Sequence, residues 1–142
     1  MTNRGTAEQL EQIANADDFV QSSNQLVDEW ASAGVGVEAI GPILRFIEAH
    51  PKIDFGSPGP LVHFAERFYG IGYEAILIDS VQRKPTALTA WMLNRVINGT
   101  KTPSTRLELI DVMKQITNHP LADDAIREGA QHFVERSGSA GS

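Results

Sequence analysis

Cysteine is absent from the chain, so disulfides and thiolate chemistry are excluded, a composition compatible with a reducing cytosol. No stretch approaches the roughly 18 to 20 apolar residues that a membrane-spanning helix requires. The amino-terminal MTNRGTAEQLEQ has no apolar core of a signal peptide, and a soluble, cytoplasmic protein is the expectation. Period-two alternation, the mark of a half-buried strand, is missing throughout. Basic residues are scarce in the first half: Met1 to Ile71 holds ten acidic residues against four basic ones, and Gly72 to Ser142 eight of each, which places the net charge of −6 entirely before Gly72. Phosphate binding needs a Lys/Arg patch, and Arg83, Lys84, Arg95, Lys101 and Arg106 are too sparse to form one, so nucleic acid is disfavoured. An acidic half instead suits a basic protein, whose approach it would steer. The simpler alternative is that surplus acid only keeps the protein in solution.

What the chain does have is recurrence. His50-Pro51, Lys84-Pro85 and His119-Pro120 set a cationic or imidazole residue before a helix-stopping proline at intervals of 34 and 35 residues. His63-Phe64-Ala65-Glu66-Arg67 returns 69 residues later as His132-Phe133-Val134-Glu135-Arg136, the same offset that separates Pro51 from Pro120. A period of this length marks stacked helix hairpins, each unable to bury its apolar face alone. The expected fold is all-α, a short right-handed α-solenoid of HEAT-like hairpins. With 142 residues, 42% of them apolar, the chain suffices for a single domain over residues 1–136, and the Gly/Ser composition of 137–142 reads as a disordered tail.

Local signals place the helices. Thr6 with Gln9 reads as a capping box at the first. Asp17 or Asp18 can cap the second, which Gly34 ends. A third should run from Val37 to Ala49. Ser57 is a candidate cap, with Pro58 and Pro60 in the first turn of a helix reaching Tyr69. Tyr73 to Arg83 follows, then a helix capped by Thr86 and ended by Gly99 as a left-handed terminator. Thr102-Pro103 opens a helix carrying Leu107, Ile110, Val112, Met113 and Ile116 to Pro120, and a last helix spans Leu121 to Glu135.

No constellation of residues points to catalysis. His63 with Glu66, and His132 with Glu135, have the three-residue spacing that can bring imidazole and carboxylate to one metal ion, but no third ligand follows by spacing. Surface pairing on a helix accounts for them more simply. Gly56-Ser57-Pro58-Gly59 lacks the strand-turn context of a nucleophilic serine, and Gly70-Ile71-Gly72 is too short for a phosphate loop. No metal or cofactor is called for. Trp91 is misplaced by its helical wheel, falling with Asn94 and Asn98 on the polar side. That position suits either an interface anchor or packing against an adjacent repeat.

The run SPGPLVHFAERFYGIGYEAILIDSVQRKPTALTAWMLNRVIN, within a match that covers Phe55 to Asn98, resembles small α-helical immunity proteins of bacterial contact-dependent inhibition and related polymorphic toxin systems. The resemblance implies a cytoplasmic protein that is not an enzyme and that binds a cognate toxin domain, often a nuclease and here most readily a ribonuclease, blocking its active site or substrate entry. Binding residues in such proteins vary with the toxin, so the candidates come from helical wheels and charge alone. Asp28, Glu29, Asp54, Glu66 and Glu74 are the electrostatic contacts, and Tyr69, Tyr73 and Trp91, with Asn94 and Asn98, the anchoring ones. The second reading is a helical-repeat adaptor that takes a peptide or helix of another protein. A metal-dependent hydrolase using His63, Glu66, His132 and Glu135 is the third.

Overall fold

The computed structural model describes residues 5–56 and 58–140, with side chains through Ser137. Among them the chain is all-helical, without a strand: α1 (Thr6–Ile13), α2 (Phe19–Ala33), a 3₁₀ turn (Val37–Ala39), α3 (Ile40–Ala49), α4 (Pro60–Glu66), α5 (Tyr73–Arg83), α6 (Ala87–Gly99), α7 (Pro103–Ile116) and α8 (Asp124–Ala140). Two compact units divide it, Met1–Ile76 and Leu77–Ser142, with the boundary inside α5. No helix of the described residues is long and apolar enough to cross a membrane.

In the first unit α1 packs on α2 and α3, while α4 packs on α2 and α3, the neighbour pattern of two stacked hairpins. Asp18 starts α2 by accepting from the Gln21 N–H at 3.0 Å, and Gly34 closes it at φ 77°, as the sequence signals require. Buried Phe19, Ser23, Leu26 and Trp30 form its inner stripe. The start of α1 departs from expectation. Gly5 is its N-cap, without a side-chain bond, and Gln9 instead accepts the Trp30 indole N–H at 2.8 Å. Leaving a buried indole donor unpaired costs about 1–3 kcal/mol, more than an exposed cap returns, so the tertiary bond takes the glutamine. Across the stack, Phe19 and Phe46 lie with ring centres 5.9 Å apart and Phe55 meets both edge-on, while Trp30 meets Phe64 at 5.4 Å. Each such pair contributes about 0.5–1.5 kcal/mol beyond its buried area.

The loop before α4 is built around glycine. A Cβ at Gly59, where φ is 97°, would lie 1.6 Å from the Phe55 carbonyl oxygen, so no other residue fits without moving the backbone. Gly59 is also the N-cap and Pro60 the first helical residue; Ser57, the expected cap, lies outside the described residues. Helix α4 stops at Glu66, short of the expected Tyr69, and the chain tightens into i→i−3 bonds from Arg67 to Tyr69.

In the second unit α6, α7 and α8 pack on one another. Thr86 and Thr89 form a reciprocal capping box, each hydroxyl accepting the other's backbone N–H at 3.0 Å. Gly99 is not the left-handed terminator expected of it. It stays helical, and the chain leaves through Thr100 at φ −88°, with the Thr100 hydroxyl on the Val96 carbonyl. Helix α7 ends at Ile116 rather than running to Pro120, and Leu107, expected on its inner face, is 64% exposed while Leu109 is buried. Asp123 caps α8, accepting from the Ile126 N–H at 2.8 Å. That helix then continues through the Gly/Ser run read as a disordered tail: Ser137 is buried, and its carbonyl accepts from Arg106 Nη2 at 3.1 Å. Contact with α7 outweighs the weak helix propensity of Gly and Ser there.

The recurring prolines have a common setting. Pro51, Pro85 and Pro120 each follow the end of α3, α5 or α7, the first helix of a hairpin. The histidines before two of them tie their hairpin to the preceding first helix. His50 Nε2 lies 3.0 Å from the Glu11 carboxylate on α1, and His119 Nε2 donates to the Gln82 carbonyl on α5 at 2.6 Å. His119 Nδ1 accepts the Leu121 N–H at 3.0 Å, which fixes the tautomer with its proton on Nε2.

Candidate protein-binding surface

Metal chemistry has no visible seat: among the described residues no three His, Asp or Glu side chains converge as ligands would. His63 Nδ1 is 4.0 Å from Glu66 Oε1 and largely solvent-exposed. Glu135 accepts from Gln131 Nε2 at 3.2 Å, which accounts for that carboxylate without His132. Both pairs behave as surface side chains of a helix.

The acidic excess of the sequence falls in the first unit, and two of its carboxylates, Asp28 and Glu29, stand exposed on α2 with no ion pair among the described residues. Asp28 borders an open groove of about 420 Å³ between α2 and α4, floored by Val27, Ala31, Pro60 and Phe64. Arg67 lines the α4 side, its guanidinium 5.4 Å from the centre of the Phe64 ring. The groove is thus apolar at its base, with an anion on one lip and a cation on the other. Its α4 wall depends on the Gly59-Pro60 turn, because only a glycine lets the chain reverse so closely against Phe55.

Other expected contacts also have roles within the fold. Asp54 is exposed, but its Oδ1 accepts the Gly56 N–H at 3.0 Å and shapes the loop before α4. The Glu74 carboxylate accepts the Gly70 N–H with both oxygens, at 3.1 and 2.9 Å, and so clamps the turn between α4 and α5. Tyr73, expected as a surface anchor, is fully buried at the start of α5 and offers nothing to a partner. Ile71, two residues before it, faces solvent instead. Tyr69 does face outward, at 45% exposure, and Glu66 is half-buried.

In the second unit Trp91 is half-buried on α6 beneath the Arg95 guanidinium, which lies 5.0 Å from its ring centre. Asn94 is half-buried beside it and Asn98 is exposed. The tryptophan therefore keeps an accessible face, partly covered by a cation that a partner would have to displace or share.

Two features escaped sequence reading. The groove arises from α2 and α4, which no local pattern pairs. Ile71 had a signal, an apolar β-branched residue between two glycines and outside any helical period, but its exposure depends on the turn's folded geometry. Near it, the Glu38 carboxylate titrates below the ordinary glutamate value, because its own backbone N–H and then that of Gly36 stabilise the anion. The chain matches no family model, no curated protein and no solved structure.

Proposed function

We propose that this chain is an immunity protein, a cytoplasmic inhibitor that binds a cognate toxin domain and closes its active site or substrate cleft without catalysing a reaction of its own. The observation that carries the reading is the pair of exposed carboxylates on α2, Asp28 and Glu29, without an ion pair among the described residues, of which Asp28 borders the apolar α2/α4 groove in the acid-rich unit. Carboxylates so placed can occupy positions that RNA or DNA phosphates would take in a basic nuclease cleft, while apolar contact nearby supplies the desolvated part of the interface. A nuclease domain, most readily a ribonuclease as the resemblance suggests, suits this surface, since its substrate cleft must be cationic. Support also comes from the resemblance of residues 55–98 to helical immunity proteins. Stable binding would bury about 1,200–2,000 Å² in total.

The groove itself favours a second reading, an adaptor that takes an apolar peptide or helix. Pull-down on the immobilised full chain from its native bacterium, with a moderate-salt wash and mass spectrometry, separates the two. Recovery of the carboxy-terminal domain of a large secreted protein, together with rescue of cells expressing that domain when this chain is co-expressed, is the expected result. Recovery of a housekeeping complex, or no rescue, would move the assignment to the adaptor.

A further inference from the structure

The geometry points to the turn from Phe68 to Gly72 as the apolar anchor that seats this chain in a cleft of a basic protein, an assignment that rests on the inhibitor reading and adds where the partner is gripped. A single exposed aliphatic side chain is ordinary on a protein surface. Here there is a cluster: Ile71 is 65% exposed and Tyr69 45%, and Val37 borders the same turn, its Cγ2 only 3.2 Å from where a Cβ on Gly72 would stand.

The turn is also held in place before any partner arrives. Gly70 and Gly72 take φ of 82° and 121°, conformations that an L side chain resists. Phe68 O accepts from the N–H groups of both Ile71 and Tyr73, at 3.0 and 3.3 Å, and the Glu74 carboxylate accepts the Gly70 N–H. Buried Tyr73 pins its far end. An apolar residue presented on so constrained a turn loses little freedom on binding, which is the property that lets a few contacts dominate an interface.

Charge selects the occupant. The Glu74 carboxylate bonds the turn itself, Glu38 Oε1 lies beside Gly36, which the Phe68 ring also approaches, and the nearest cation in sequence, Arg67, is turned onto the Phe64 ring. A second copy of this acidic unit would meet like charge across the patch, whereas a basic domain with an apolar recess would find both parts of its complement. The occupant is therefore the toxin domain, taken at its substrate cleft.

The test uses the full chain and the toxin domain recovered in the pull-down, with binding kinetics measured at low and at physiological ionic strength. Ile71→Glu should bind about 30-fold more weakly or worse, the loss expected of a hot-spot residue, with an unchanged thermal midpoint. Ile71→Ala should raise the dissociation rate and leave the salt dependence as it is, and Leu107→Glu, equally exposed on α7, should bind like the unmodified chain. Undiminished binding by both Ile71 variants, or an equal loss in Leu107→Glu, overturns the anchor while the inhibitor reading stands. If the unmodified chain retains no toxin domain at all, both assignments fall together.

Discussion

Tyr73 shows what one side chain can hold. It is among the largest fully buried residues, and it sits where the turn clamped by Glu74 becomes α5. Truncation there removes an aromatic ring from a closed site, so Tyr73→Ala should lower unfolding free energy by about 3–5 kcal/mol, measured by urea denaturation. The same substitution would have been offered as a binding mutant on the strength of a helical wheel. A loss of binding without loss of stability would contradict its buried role. The histidines at the ends of α3 and α7 make a related point. Their recurrence before Pro51 and Pro120 is legible as spacing, but the bonds to Glu11 and to the Gln82 carbonyl connect residues 39 and 37 positions apart and belong to the fold.

Among the elements, the clearest constraint is the turn into α4. Gly59 lies at φ 97°, ψ 168°, a region that other residues scarcely enter, and it carries the approach to the Phe55 carbonyl as well. Gly59→Ala should therefore cost about 3 kcal/mol or more and displace the α4 wall of the groove, visible as a lowered thermal midpoint and as chemical-shift changes at Val27 and Phe64. Helix starts at Asp18, Thr86 and Pro103 could be read directly, because a cap or a first-turn proline acts within four residues of itself. Ends were less legible. Gly99 stayed helical, α7 stopped before Pro120, and α8 ran on past Arg136 because Arg106 and the burial of Ser137 stabilise its continuation.

At the scale of the whole molecule, charge separates the two functional readings. A basic toxin cleft drawn to the acidic first unit should associate with a rate that falls steeply as salt rises, whereas an apolar peptide in the α2/α4 groove should be nearly indifferent to it; stopped-flow association across a salt series distinguishes them. A flat profile would count against the inhibitor. By itself the sequence determined that the chain is helical, where most helices begin, that a proline after the first helix of each later hairpin recurs every 34 to 35 residues, and that its net negative charge comes from the first half. These are local or additive properties, set by caps, prolines, a 3.6-residue period and a count of charges. Only the tertiary structure decided that Tyr73 goes in and Ile71 out, that Gln9 serves Trp30 instead of its own helix, and that α2 and α4 frame a groove. Burial is conferred by neighbours distant in sequence, and a side chain on an ambiguous arc of a helix, or in a turn with none, has no local feature that fixes which way it faces.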